Sequence, residues 1–154
     1  MNDSQRELIN DFFMHFSKFE YALKMSGFHN GNGNAKADWE SFSDSIDEVF
    51  FANLSKEESD GIEYFKEKPP RKQVVNEGSS DWSDNSPESK TKTGQLLLYV
   101  CRVRNSLFHG GKYRGHFLAE PDRSEMLIKS CIIILKHALA LSHDVREAFE
   151  GNAT

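Results

Sequence analysis

The segment QRELINDFFMHFSKFEYALKM, residues 5–25, decides the fold class. Its apolar side chains recur at steps of three and four residues, at Leu8, Phe12, Phe16, Phe19 and Leu23. Because that spacing places them on one face of a helix, the segment predicts a long amphipathic α-helix with one buried face. Gly and Asn residues at positions 27–34 then end the helix in a turn.

Two shorter helices are predicted downstream of this segment. The first extends from about Asp38, a plausible N-cap, to Leu54, with its own apolar stripe. Ser55 is followed by Lys56 and two glutamates, a pattern typical of an N-cap and a first helical turn. A short third helix is therefore expected to reach about Lys66.

The C-terminal half contains two more helical patterns. Residues 95–108 carry an apolar stripe at helical spacing and are followed by Gly110 and Gly111, which end the helix. The last helix is predicted to start after Pro121, with Asp122 as its cap, and to reach about Glu150. Residues 131–141 within it are apolar on nearly every face, which fits either the central helix of a bundle or a helix buried on two sides at a subunit interface.

The predicted fold is all-α, a bundle of four or five helices in a single domain covering residues 1–154. Residues 68–92 are expected to form a long surface loop before the helix at 95–108, because Pro69 and Pro70 end any helix and the following residues are rich in Ser, Asp and Glu. Trp82 is interpreted as an anchor that holds this loop to the body of the protein. Strands are not expected, because no segment alternates with period two for long.

Composition restricts the class of protein. A formal net charge of −5 argues against a protein that binds nucleic acid over its whole surface. No apolar run is long enough to span a bilayer, and the first twenty residues are too charged for a signal peptide. Cys101 and Cys131 lie in apolar runs without metal-ligand spacing, so we interpret them as reduced buried thiols of a cytoplasmic protein. No metal or cofactor is expected.

Positive charge is concentrated in residues 89–119. This segment contains six Lys or Arg residues and no Asp or Glu, whereas the rest of the chain has 13 basic and 24 acidic residues. A local basic patch on an acidic body favours a confined anion site, such as one for a phosphodiester. The alternative is that these are ordinary solvated charges.

The centre of the basic segment combines groups that can act on a phosphodiester. Arg104, Asn105 and His109 lie within six positions and are followed by two glycines. Histidine exchanges protons near neutral pH, and the arginine fork matches phosphate oxygens. Together they suffice for RNA cleavage in which the ribose 2′-OH attacks the adjacent phosphorus and charge builds on the non-bridging oxygens.

This arrangement resembles the Arg-x(4–6)-His motif of HEPN domains. The stretch from Val103 to Lys112 is similar to bacterial members of that family with an Arg-Asn-x-Leu-Phe-His-Gly-Gly-Lys signature, and the motif also precedes a final long apolar helix. The resemblance covers about residues 95–150, and the first ninety residues carry no signature of their own. Many HEPN proteins are ribonucleases of toxin–antitoxin, abortive-infection and CRISPR-associated phage defence systems.

The resemblance implies a homodimeric, metal-independent endoribonuclease that leaves a 2′,3′-cyclic phosphate. Arg104 would stabilise the pentacoordinate phosphate, and Asn105 would orient the phosphate or the imidazole. His109 would act as general base or acid, with His109 of the partner subunit in the opposite role. Lys112 and Arg114 would contact backbone phosphates, although solvated loop charges are an equally good interpretation of both.

Helix geometry leaves the identity of the catalytic arginine open. Asn105 and His109 lie within about 40° of each other on an ideal helix, whereas Arg104 and His109 are about 140° apart. They could converge if the helix unwinds near Gly110, or if the two residues come from different subunits. Arg102 lies about 20° from His109 and also fits the motif spacing. We prefer Arg104 as the catalytic arginine because Asn105 follows it. Arg102 is assigned to RNA binding, or to replacing Arg104 in catalysis.

Three alternatives remain at this stage. The first is a non-catalytic HEPN domain that binds nucleotide, RNA or a partner protein in a dimeric defence assembly. The second concerns control, because some HEPN toxins are silenced by a nucleotidyltransferase antitoxin that modifies a Tyr in an Arg-x4-His-x-Tyr motif. Here that position is Gly111, and the candidate modification site, Tyr113, comes two residues late. The third is a structural helical adaptor.

Overall fold

The computed structural model describes residues 2–83, 85–108 and 120–151, with the backbone alone for 72–74, 76 and 79–83. These residues form six helices and one hairpin, so the predicted helical class is confirmed, with one helix more than expected. The helices are α1 (Asp3–Met25), α2 (Trp39–Phe50), α3 (Lys56–Glu67), α4 (Lys92–Ser106), α5 (Pro121–Ala140) and α6 (His143–Phe149), and the strands are β1 (Lys72–Asn76) and β2 (Ser79–Ser83).

Side-chain caps fix the starts of the first four helices. The Asn2 side chain accepts a hydrogen bond from the Gln5 N–H, and Ser55 accepts one from the Glu58 N–H, each within a reciprocal capping box. Asp38 caps α2, as predicted, and Thr91 caps α4 by accepting from the Gly94 N–H. These caps satisfy main-chain donors that have no partner inside the helix.

Helix α5 is the centre of the bundle. It packs against α1, α3 and α4, and more lightly against α2 and α6. Leu127, Ile128, Cys131, Ile134 and Leu135 are all buried along it, and Ser130 and His137 extend the buried surface around the helix. Ile132 and Ile133, in the apolar run at 131–141, are only partly buried. The packing of α5 on five other helices fits the central helix of a bundle.

Aromatic rings fill the space between α1, α2 and α6. Phe19 is fully buried and its ring stacks on Trp39 with centroids 5.2 Å apart, while Phe42 and Phe149 meet it edge-on at 5.5 and 6.4 Å. Phe16 stacks on the same indole at 5.4 Å. Such pairs add stability beyond that of the buried area alone.

The prediction for the last helix was wrong in two details. Glu120, not Asp122, occupies the N-cap position, and Pro121 is the first helical residue. Proline fits there because the first helical N–H has no partner to lose. The helix also does not continue to Glu150. It ends at Ala140, and after a bend near Ser142 the chain continues as α6, which runs at 117° to α5 and packs on α1.

The segment expected to be a loop contains a β-hairpin. Strands β1 and β2 pair antiparallel, from Lys72 opposite Ser83 to Asn76 opposite Ser79. Glu77 and Gly78 form the two-residue turn, both with positive φ, at 50° and 80°. That conformation matches the twist of a tight hairpin and favours glycine. The side chain of Trp82, predicted to anchor this segment, lies outside the described part.

Among the described residues, no single helix is long and apolar enough to cross a bilayer; α5 and α6 reach the required length and hydropathy only when taken together across their 117° bend. Cys101 and Cys131 are both free thiols, as predicted. Burial raises the pKa of each thiol, which makes both poor nucleophiles.

Candidate functional site

Helix α4 buries an apolar face, and its two arginines, Arg102 and Arg104, lie on different sides of the helix. Leu97 and Val100 are fully buried, and Leu96 and Val103 nearly so, against the bundle. The helix has no acidic residue in its first turn, and its last turn carries Arg104. The apolar stripe thus holds the helix against the bundle, and the two arginines have separate environments.

Arg104 lies half-buried near the C-terminal end of α4. One guanidinium nitrogen donates to the Asn105 side-chain oxygen at 3.2 Å. Its central carbon lies 4.5 Å from the centroid of the Phe108 ring and 5.8 Å from that of Phe16, within the range of cation–π attraction. Within the described residues it forms no salt bridge with a carboxylate. The rings therefore position the cation without neutralising it.

Arg102 has a different environment, although it is only two residues away. Its Nη1 donates to the main-chain carbonyls of Pro70 at 3.1 Å and Asn85 at 2.6 Å. The guanidinium also lies over the Tyr99 ring at 5.5 Å, and burial lowers its pKa. Arg102 therefore joins the two ends of the segment that contains the hairpin, residues 70–85, which we call the hairpin segment. Its Nη1 already donates hydrogen bonds within the protein.

Other side chains hold the same segment. Arg123, at the start of α5, donates to the Pro69 carbonyl at 2.9 Å and lies 3.6 Å from the Glu120 carboxylate. The Tyr99 hydroxyl donates to the Ser86 hydroxyl at 3.1 Å. The residues that flank the hairpin are thus tied to α4 and α5 through hydrogen bonds from side chains.

The described helix changes its winding before the predicted histidine. Helix α4 ends at Ser106, and Leu107 and Phe108 continue the chain in a wider, π-helical winding. His109, Lys112, Tyr113 and Arg114, all predicted as site residues, lie outside the described residues. Of the remaining predictions, the structure brings Arg104 and Asn105 together and directs Arg102 to the hairpin.

Two features of this region were not predicted. Phe108 is 60% exposed and contacts Arg104 from the next turn, a spacing of four residues that the sequence does contain. The hydrogen bonds from Arg102 to the carbonyls at positions 70 and 85 have no signature in the sequence, because a main-chain carbonyl is present at every position. Only the tertiary structure could reveal it.

His137 is the one buried histidine among the described residues, and its place is structural. Its Nε2 lies 2.7 Å from the Phe50 carbonyl, and its Nδ1 lies 3.5 Å from the Glu58 carboxylate. The imidazole therefore links α5 to the end of α2 and the start of α3. Nowhere in residues 2–83, 85–108 and 120–151 do three His, Cys, Asp or Glu side chains come together as a metal site.

The chain was compared with protein-family models, with curated proteins and with solved structures. Nothing matched in any of the three comparisons. A proposal for its function must therefore be built from the residues of α4 and the segment that follows it.

Proposed function

We propose that this chain is a HEPN-type endoribonuclease that works as a homodimer in the cytoplasm and cleaves RNA without a metal ion. The observation that carries the proposal is the position of Arg104. Its guanidinium is partly exposed, bonded to Asn105 and unpaired with any described carboxylate, in a segment free of acidic residues. Further support comes from the resemblance of residues 103–112 to the HEPN motif.

The chemistry is an internal transfer. His109 of one subunit removes the proton from the ribose 2′-OH, whose oxygen attacks the adjacent phosphorus. The bond to the 5′-oxygen breaks, and His109 of the partner subunit donates a proton to that oxygen. The products are a 2′,3′-cyclic phosphate and a 5′-hydroxyl. Arg104 stabilises the negative charge on the non-bridging oxygens.

The assignment of Arg104 rather than Arg102 is supported by their environments. Arg102 already donates to two carbonyls, so binding a phosphate would compete with the bonds that hold the hairpin segment. Arg104 has aromatic neighbours and one amide oxygen, which leave other donors for an incoming anion. Lys112 and Arg114 are proposed to contact flanking phosphates.

The decisive experiment is RNA cleavage in excess EDTA. We expect the wild type to cut structured RNA, and both His109→Ala and Arg104→Ala to reduce the rate by about 10²–10⁴-fold. Arg6→Ala, which removes an exposed arginine at the start of α1, is the matched control and should cut normally. Substrates with 2′-deoxyribose at the cleavage position should resist cutting, and the products should end in a cyclic phosphate.

Equal cleavage by wild type and both variants, with all proteins folded and dimeric, would refute the nuclease. RNA that is bound in an Arg104-dependent manner but never cut would instead support the non-catalytic HEPN alternative. For a role in toxicity or phage defence, we expect growth arrest on expression that His109→Ala relieves. Rescue by a co-expressed nucleotidyltransferase that is lost in Tyr113→Phe would identify the antitoxin class.

A further inference from the structure

A cavity of about 700 Å³ lies between α3, α4 and the ends of the hairpin segment. Most of its wall is apolar, with Phe51, Phe65, Leu96 and Tyr99 among the lining residues. This volume is within the range of small-molecule sites, about 300–1,000 Å³, which are mostly apolar with a few placed polar groups. The cavity is separate from Arg104, which does not line it.

The aromatic wall of the cavity is firmly held. The rings of Phe65 and Tyr99 stack with centroids 6.0 Å apart at an interplanar angle of 21°. Tyr99 is only 8% exposed, its hydroxyl is bonded to Ser86, and Arg102 lies over its ring. Phe65 is only 1% exposed, so these rings support the wall from behind and form a rigid apolar surface before any ligand arrives.

The polar part of the lining is positive. Lys66 and Lys92 both line the cavity, and none of its described lining residues is acidic. The Lys66 amine forms a salt bridge with the Glu63 carboxylate, 3.4 Å away on the same exposed helix face. Lys92 forms no salt bridge within the described chain. An anionic group on a bound molecule would thus find a cation at the mouth of an apolar site.

We propose that this cavity binds a small apolar monoanion. Its apolar body lies beside Phe51, the most exposed aromatic ring of the lining, and its anionic end faces Lys92, with Lys66 beside it. Gln95 supplies an amide at the wall that can bond a polar atom of the ligand. Such a site is independent of RNA cleavage and would exist in a protein with no nuclease activity.

The probe for this proposal is 1-anilinonaphthalene-8-sulfonate, and N-phenyl-1-naphthylamine is its neutral counterpart. Fluorescence titration should show one saturable site for the sulfonate on the folded protein. Lys92→Met should weaken binding of the sulfonate by roughly three- to tenfold and leave the affinity for the neutral amine unchanged, because only the ion pair is removed. Lys36→Met, an exposed lysine outside the cavity lining, should change neither.

A bulky substitution tests whether the dye occupies this cavity. Gln95→Trp should weaken both probes, because the larger side chain enters the space next to Tyr99. Circular dichroism melts should first show that each variant is folded. Equal affinity of wild type and Lys92→Met for the sulfonate would overturn the proposal, and so would tighter binding of the neutral amine than of the sulfonate by the wild type.

Discussion

The bundle is held in two different ways on its two sides. On the aromatic side, formed by Phe16, Phe19, Trp39, Phe42 and Phe149, rings from α1, α2 and α6 pack on one another. On the hairpin side, Tyr99, Arg102 and Arg123 donate hydrogen bonds to residues 69–70 and 85–86.

The difference separates stability from positioning. The free energy gained by burying apolar area is large and has no preferred direction, so the aromatic side contributes more to the free energy of folding than the hairpin side does. A guanidinium that donates to a carbonyl has a defined geometry, but much of its gain is offset by the loss of hydration. The buried Nε of Arg123 even lacks a partner within the described residues. The hairpin side therefore fixes where a segment lies more than it stabilises the whole.

The largest expected effect is on the aromatic side. Phe19→Ala should lower the free energy of unfolding by about 3–5 kcal/mol, because it removes a fully buried ring and leaves a cavity. Phe51→Ala, at a ring that is 39% exposed, is the matched control and should cost less than half as much. Guanidinium chloride denaturation measures both. Equal losses would show that burial is not the source of the difference.

An intermediate effect is expected on the hairpin side. Arg102→Ala should cost about 1–3 kcal/mol, since two carbonyls lose a charged donor. In this variant the amide protons of β1 and β2 should exchange with solvent faster than in the wild type, even without denaturant, where the bundle stays folded. The measurement is hydrogen exchange followed by mass spectrometry.

Arg104→Ala is the control for that experiment. Its guanidinium contacts two rings and the neighbouring amide, so its removal should cost less than about 1 kcal/mol and leave hairpin exchange unchanged. If Arg104→Ala loosened the hairpin as much as Arg102→Ala, the separation of the two arginines into positioning and candidate catalytic roles would be wrong.

The part of the aromatic side that lies on α1 and α2 could be predicted from the sequence, whereas the position of Phe149 on α6 and the hairpin side could not. The stripe of Phe12, Phe16 and Phe19 repeats at helical spacing, and Ser55 and Asp38 are caps that bond within three residues of themselves. These signals are local. Helices α1 to α4 consequently begin within a few residues of their predicted starts.

The hairpin depends on information that is not local. Arg102 reaches a carbonyl 32 residues earlier, and the paired strands are short, polar and without clear alternation. The only sequence signal is Asn76-Glu77-Gly78, a turn pattern interrupted by a glutamate. The break near Ser142 was missed for a similar reason, because no Gly or Pro marks it and α6 is held by its packing on α1.

For the candidate site, sequence reasoning selected the pair that the structure brings together. Arg104 and Asn105 are adjacent in the chain, so no tertiary information was needed to place them near each other. Sequence reasoning preferred Arg104 because Asn105 follows it, although both arginines fit the motif spacing and Arg102 lies nearer His109 on an ideal helix. The tertiary contacts add that the two arginines have different environments, with Arg102 bonded to main-chain carbonyls and Arg104 beside aromatic rings.

The smallest expected effect is a dependence on pH that belongs to the aromatic side alone. His15 packs on Phe149 with ring centroids 4.9 Å apart, and its buried Nε2 has no partner within the described chain. Burial lowers the pKa of His15, and the charges of Lys136 and Lys18 lower it further. The unfolded chain, with an ordinary pKa near 6.5, therefore binds more protons than the folded one as the pH falls through that value.

Stability should accordingly fall between about pH 7 and the lowered folded pKa of His15, and the contribution of this residue should then level off. Between pH 7.5 and pH 5.5 the free energy of unfolding, measured by denaturation, should fall more for the wild type than for His15→Phe. The difference between the two proteins should be smaller than the cost of Phe19→Ala or Arg102→Ala. The guanidinium groups on the hairpin side stay protonated over this range, so Arg102→Ala should keep the wild-type pH dependence. An identical loss in wild type and His15→Phe would mean that the proton binds elsewhere, and the aromatic side would then be as indifferent to pH as the arginine contacts that hold the hairpin.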